Sequence, residues 1–238
     1  MSSPPIRLRA PPPFELWMVS LAVGAADDDA LLDEQERERA ARFAFERDRR
    51  RYVAAHAALR RLLGRRMGQA ADTLRFETGA FGKPRLAGER RCSFSLSHSD
   101  DQALVAVSDD DEVGVDLEQL RPLPDIDALA RQCLATRERF HFDATPVAER
   151  ELAFLRAWTR KEACLKALGT GLHVEPASFE AGIDTSEQRV RIDTAEGVRE
   201  VVVHSLSPMP GWVAALAWVP GRPKEGVTAG SANLYSAR

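Results

Sequence analysis

FLRAWTRKEACLKALG, residues 154–169, is the stretch on which the fold turns. At 3.6 residues per turn, Leu152, Leu155, Trp158 and Leu165 line up as an apolar stripe, and Glu162 and Lys166 fall inside it, one and two turns beyond Trp158. The segment predicts a helix that turns charge toward a core. Burying an unpaired carboxylate or ammonium is costly, so the two groups pair along the helix, bind a metal, or line a cleft.

Upstream, VGVDLEQL at residues 113–120 reads as a strand with Val113, Val115 and Leu117 on one face and Gly114, Asp116 and Glu118 on the other. Two carboxylates side by side repel unless a proton or a cation neutralises them, and an all-oxygen donor set suits a hard ion such as magnesium. Taken alone, the pair also reads as two acids on a solvent-facing edge; with Glu162 it becomes a three-carboxylate constellation.

Further upstream lies SFSLSHSDD, residues 93–101. There is no GxSxG elbow, and Ser97 and His98 are sequence neighbours, poorly placed to act on each other, so nucleophilic catalysis is not expected. Hydroxyls and an imidazole at a strand end are expected to donate to a bound ligand or to stabilise a turn. The five histidines show neither HExxH spacing nor companion cysteines, which argues against zinc. Residues 37–66 hold eleven arginines against Glu38, Glu46 and Asp48, a net charge of +8, so this region meets an anionic partner or presents a solvated helical face. Gly82, Lys83 and Pro84 combine close backbone approach with a point charge, a pairing suited to phosphate, although neither a Walker A loop nor a GxGxxG fingerprint occurs.

Around these segments the chain reads as two similar halves. A strand at 14–23 is followed by a long helical stretch at 33–67, with Tyr52, Ala55, Leu59, Leu62 and Leu63 on its apolar face, and then by strands at 74–77, 93–97 and 103–108. After Pro122 and Pro124 the pattern repeats: helices at 125–140 and 147–168, then strands at 189–192, 198–204 and 212–219, with Trp17, Trp212 and Trp218 expected in the core. Residues 1–13 and 220–238 have compositions expected to be flexible.

The net charge of −3 argues against a nucleic-acid binder. The apolar run 14–26 is interrupted by Glu15 and Ser20 and falls short of a membrane span, so no membrane partner is expected. Cys92, Cys133 and Cys164 form no CxxC pair, which points to a reducing, cytoplasmic compartment.

In chain order, FGKPRL at 81–86, FSLSHS at 94–99, VGVDLE at 113–118 and WTRKEACLKALG at 158–169 resemble the motifs of the 4′-phosphopantetheinyl transferases of the surfactin-synthetase-activating type. An RxxRF-like stretch from Arg39 to Phe43, with Arg51 beyond it, extends the likeness to residues 14–219. The resemblance implies an α+β fold, an intrachain pseudo-dimer of two halves (14–112 and 113–219), each with helices packed on a small, mostly antiparallel sheet, and coenzyme A in the cleft between them. It implies magnesium held by Asp116, Glu118 and Glu162, with Glu162 also the base and Lys166 and Asp116 sharing in catalysis. Arg51 and Arg39 would hold the 3′-phosphate, and Gly82, Lys83, Pro84, Ser97, His98 and Lys166 would make the other phosphate and nucleotide contacts. Ser95 stands where the family usually has asparagine, and Asp100 where glycine commonly follows the SHS triplet.

The implied reaction is attack by a serine hydroxyl of an apo acyl or peptidyl carrier protein on the coenzyme A phosphate that bears pantetheine, releasing 3′,5′-ADP. The carrier would be of fatty-acid, polyketide or nonribosomal-peptide synthesis or an aminoadipate-type enzyme, a choice the resemblance leaves open, and the enzyme would act as a monomer. Two other readings use the same residues: a magnesium-dependent pyrophosphohydrolase of coenzyme A or nucleotides, and a non-catalytic module that binds coenzyme A or a carrier.

Overall fold

The computed structural model describes residues 4–11, 13–79, 81–88 and 92–220. The N-terminal half runs β1 (Ile6–Leu8), β2 (Glu15–Ser20), α1 (Asp28–Leu31), α2 (Glu34–Ala41), α3 (Glu46–Met67), β3 (Phe76–Thr78), β4 (Pro84–Leu86), β5 (Ser93–Ser99) and β6 (Gln102–Ser108). The C-terminal half runs β7 (Glu112–Gln119), α4 (Ile126–Cys133), α5 (Thr136–Ala144), α6 (Arg150–Leu168), β8 (Gln188–Thr194), β9 (Gly197–Leu206) and β10 (Trp212–Val219). Each half builds one four-stranded antiparallel sheet, in the orders β1-β2-β6-β5 and β7-β10-β9-β8, and β3 and β4 form a separate hairpin. The fold is thus the α+β arrangement of two halves that the resemblance implies.

Helix α3 covers the first sheet with the apolar face read from its spacing, and Tyr52, Ala55, Leu59, Leu62 and Leu63 are all buried. Helix α6 covers the second sheet, where Ala163, Leu165 and Ala167 meet Val201, Val203, Ala215 and Ala217. The opposite faces of the two sheets share a third core of Leu16, Met18, Leu104, Val113, Val115, Leu117 and Leu216, against which Trp212 and Trp218 pack half-buried. Among the described residues, no helix is long and apolar enough to cross a membrane.

Three local differences from the sequence reading have physical causes. The stretch 33–67 is two helices, broken where Phe45 is extended, and the break lets the Phe43 ring approach Tyr52 at 5.3 Å. The stretch 125–140 is also two, because Glu138 turns inward and its carboxylate accepts from Ala135 N–H at 2.9 Å. Residues 1–13 were expected to be flexible, yet Ile6–Leu8 adds a strand to the edge of β2. Residues 221–238 of the expected C-terminal tail lie outside the described residues.

Candidate active site

The site forms where α6 crosses β7. A Cβ on Gly114 would collide with the Ala163 carbonyl and the Ala167 amide and would sit 2.9 Å from the Lys166 carbonyl carbon, so only glycine lets the helix lie directly on the strand. This contact brings Glu162 and Lys166 over the face that carries Asp116 and Glu118. Lys166 Nζ donates to Asp116 Oδ1 at 2.6 Å and to Ser97 Oγ at 3.1 Å. The Glu162–Lys166 helix pair, one of the alternatives in the sequence, gives way to this longer-range contact with buried Asp116.

The serines of β5 form the other wall. Strands β5 and β7 are the facing edges of the two sheets, and a constant offset of 20 residues along their contacts shows that they run parallel. The hydroxyls of Ser93, Ser95 and Ser99 accept from the backbone N–H groups of Val113, Val115 and Gln119 at 3.1, 3.0 and 3.3 Å. Ser97 Oγ donates to Asp116 Oδ1 at 2.8 Å and Ser99 Oγ to Glu118 Oε2 at 2.9 Å. Ser95, the departure from asparagine, thus keeps a role in the seam. These hydroxyls were expected to serve a ligand or a turn; in this structure they bond β7, contacts their period-two spacing could have signalled once β7 was known to face them.

Beside the carboxylates lie two adjoining hollows of about 680 and 470 Å³, both bordered by Arg39, Tyr52, His56, Gly82 and Pro84. The second also reaches Lys83, Ser97, His98 and Lys166. The Arg39 guanidinium lies over the Tyr52 ring, 5.7 Å from its centroid. His56 packs on the same ring at 4.0 Å, while its Nδ1 meets Glu36 Oε1 at 2.8 Å. Tyr52 and His56 were not singled out by sequence as site residues, since Tyr52 falls on a stripe that reads as core and His56 was weighed only for zinc spacing. Loss of solvent around the His98 ring, then the charges of His56, Lys166, Arg51 and Arg39, hold its pKa below the usual imidazole range. The charges that face His98 are basic, and with Arg39 and Gly82 at the rim this end of the hollows suits a phosphorylated ligand, while Asp33, Glu36 and Glu38 also line the first hollow.

Two expected phosphate contacts are engaged elsewhere. Arg51 donates to Asp101 Oδ1 at 2.8 Å and to Asp100, whose backbone adopts φ +44°, the left-handed conformation that favours the glycine common at this position. Lys83 Nζ meets Glu112 Oε2 at 2.6 Å and the carbonyls of Val113 and Ala167 at 3.1 Å each, which uses all three of its protons. The Lys83 ammonium is therefore a staple between the 79–84 turn, β7 and the end of α6, and burial lowers its pKa despite Glu112. Much of the remaining basic charge on α3 is answered within the chain, with Arg49 on Asp29, Arg60 on Asp33 and Glu36, and Arg66 on Glu15 and Asp109.

The back of α6 is anchored by a polar cluster that the stripe reading did not anticipate. Lys161, fully buried, pairs with Glu138 at 2.7 Å and donates to the Pro176 carbonyl at 2.7 Å. Glu138 also accepts from the N–H groups of Ala181 and Gly182. The neighbouring Arg160 donates to the carbonyls of Ala181 and Ser186 and to Ser205 Oγ. A buried charge so fully bonded fixes the helix against the 174–186 loop.

Among the described residues, no group of three His, Cys, Asp or Glu side chains is gathered as a finished metal cage. Asp116, Glu118 and Glu162 are close enough to feel one another: burial first, then the Asp116 charge, raises the Glu118 pKa, and burial with Asp116 and Glu118 raises that of Glu162 against the pull of Lys166. Asp116 Oδ2 is buried with no donor among the described residues, an acceptor with nothing to satisfy it. A buried carboxylate oxygen beside two further carboxylates is an all-oxygen donor set of the kind that suits a hard divalent cation.

Two α+β halves, with hollows bordered by Arg39, His98 and Lys166 beside the carboxylates of β7 and α6, suit an enzyme that works on a phosphorylated cofactor. Residues 112–217 match the 4′-phosphopantetheinyl transferase superfamily, and residues 27–110 match the 4′-phosphopantetheinyl transferase N-terminal region. The chain is 33% identical over 211 residues to the 4′-phosphopantetheinyl transferase HetI of Nostoc sp., covering 86% of this chain and 89% of HetI. It is 31% identical over 175 residues to the 4′-phosphopantetheinyl transferase psf-1 of Bacillus pumilus, covering 73% and 74% of the two chains. To AcpT of Escherichia coli K12, another 4′-phosphopantetheinyl transferase, it is 40% identical over 91 residues, 38% of this chain and 47% of that one. The crystal structure of Thermotoga maritima holo-[acyl-carrier-protein] synthase covers 47% of this chain and 64% of its own at 21% identity and a TM-score of 0.32, too loose to carry any residue across. The chain belongs to the 4′-phosphopantetheinyl transferase superfamily. It is an enzyme of that type, with coenzyme A as co-substrate and a carrier protein as acceptor.

Proposed function

We propose that this transferase uses magnesium held by Asp116, Glu118 and Glu162, and that these residues with Lys166 carry the transfer. The observation that carries the reading is the buried Asp116 Oδ2, without a donor among the described residues and near enough to Glu118 and Glu162 to shift their pKa values. Bound there, the ion would supply Lewis-acid stabilisation of charge on the pyrophosphate. Glu162, with its pKa held up by burial, is suited to take the proton of the attacking serine hydroxyl. The serine oxygen forms a bond to the phosphorus bearing pantetheine, the bond from that phosphorus to the bridging oxygen breaks, and 3′,5′-ADP leaves with the electron pair. Lys166, a cation at the edge of the hollow, is placed to stabilise the developing negative charge.

On the nucleotide side, Arg39, His98 and the backbone at Gly82 and Pro84 are proposed to receive coenzyme A. Ser97 and Lys83 are proposed to act through the framework, from Asp116 and from the end of α6. Arg51 contributes its charge to the His98 corner, or direct contact if the ligand draws it off Asp100 and Asp101. The buried thiols of Cys133 and Cys164 support the proposed cytoplasmic setting. Monomeric action and carriers of fatty-acid, polyketide or nonribosomal-peptide synthesis complete the proposal. The test is release of 3′,5′-ADP from coenzyme A with magnesium, with and without apo carrier protein. Release only with the carrier supports transfer; equal release without it identifies a pyrophosphohydrolase.

A further inference from the structure

We infer that Ser99 is a positioning residue, contributed by the N-terminal half, that fixes the Glu118 carboxylate of the C-terminal half for metal binding. The inference rests on the proposed reading of Glu118 as a metal ligand. Edge strands of two sheets ordinarily join by a backbone ladder, but β5 and β7 meet through serine side chains at alternate positions. Within that seam the four serines divide by what they touch on β7. Ser95 accepts from a backbone N–H, and Ser93 does so while also facing Glu112, away from the acidic cluster. Ser97 and Ser99 face Asp116 and Glu118.

Ser99 combines a backbone and a carboxylate contact beside a proposed ligand, a pattern that Ser93 repeats at Glu112, outside the acidic cluster. The Ser99 oxygen accepts from Gln119 N–H at 3.3 Å, which orients the hydroxyl, and its proton goes to Glu118 Oε2 at 2.9 Å. Glu118 is repelled by Asp116, and among the described residues the Ser99 hydroxyl supplies the hydrogen bond that offsets this repulsion. Without that bond, the carboxylate is free to rotate away from Asp116. The carboxylate set is therefore assembled across the seam, with one half supplying the ligands and the other setting their aim.

The test is titration of the protein with Mn²⁺ in the absence of substrates, followed by electron paramagnetic resonance of free Mn²⁺, on wild type and on Ser99→Ala, Ser99→Thr, Ser93→Ala and Glu118→Gln. We expect Ser99→Ala to weaken Mn²⁺ binding by about 10-fold, the lower end for a lost partner of a metal ligand. Ser99→Thr should restore it, Ser93→Ala should leave it unchanged, and the KM for coenzyme A in Ser99→Ala should stay near wild type. If Glu118→Gln weakens binding and Ser99→Ala does not, the positioning role is wrong. Equal losses in Ser93→Ala and Ser99→Ala would reduce the effect to seam packing and overturn it too. Unchanged binding in Glu118→Gln would instead overturn the ligand assignment beneath the inference.

Discussion

Gly114→Ala tests whether the direct seating of α6 on β7 sets the geometry of the site. The added methyl would meet backbone atoms of Ala163 and Ala167 and lie 2.9 Å from the Lys166 carbonyl carbon, and no side-chain rotation relieves a clash with backbone. Ordinary carbon contacts need about 3.5 Å, so the helix must withdraw by roughly 1 Å. The pieces on either side of the clash are Glu162 and Lys166, and the Lys166–Asp116 bond of 2.6 Å would stretch past a good hydrogen bond. Overpacking of this kind costs about 1–3 kcal/mol, and a misplacement of this size costs roughly 100-fold in rate. The assay is steady-state release of 3′,5′-ADP in the presence of apo carrier, alongside a thermal melt. We expect a folded protein with a lowered melting temperature and kcat reduced by roughly 100-fold. A folded Gly114→Ala enzyme with near-normal kcat would refute the argument that this contact sets the catalytic geometry.

Three further outcomes follow from the same structure. Glu162 has a raised folded-state pKa, so its contribution to stability is present below the unfolded value and lost as pH rises through the folded one; Glu162→Gln should therefore raise the melting temperature of chelator-treated protein at neutral pH and lose that advantage in acid. A flat difference across pH would show that Glu162 carries no such strain. Lys161→Met strands buried Glu138 without its cation and should destabilise the fold by about 3 kcal/mol in urea unfolding; a shift within error would mean the pair is dispensable. Because Arg51 is held by Asp100 and Asp101 while Arg39 faces the hollow over Tyr52, Arg39→Ala should raise the coenzyme A KM more than Arg51→Ala. The reverse order would show that Arg51 leaves its carboxylates for the ligand.

How far the sequence carried depends on whether a residue's partner is local or distant. The alternation of VGVDLE and the stripe of residues 154–169 were legible because each is a local period, and together they bring Asp116, Glu118, Glu162 and Lys166 to one crossing. Tyr52 and Leu59 were legible as the apolar face of α3 for the same reason. The intrachain partners of Lys83 were not legible, because Glu112 and the carbonyls of Val113 and Ala167 are up to 84 residues away. Arg51 lost its expected freedom to Asp100 and Asp101, which in sequence are only a turn signal. Lys161 lies beside Glu162 in sequence but on the far side of the helix, where only the fold supplies Glu138. Strand β1 escaped notice because three residues after a proline pair make no countable period.

The most direct measurement is the intact mass of an apo carrier protein after incubation with this enzyme, coenzyme A and magnesium, compared with the same mixture under chelation and with Asp116→Asn. The proposed site requires a gain of one phosphopantetheine in the complete mixture and almost none under chelation or with Asp116→Asn, the scale of loss expected when a principal electrostatic element is removed. Equal modification by Asp116→Asn, or undiminished transfer under chelation, would contradict the assignment of metal-dependent chemistry to the crossing of α6 and β7.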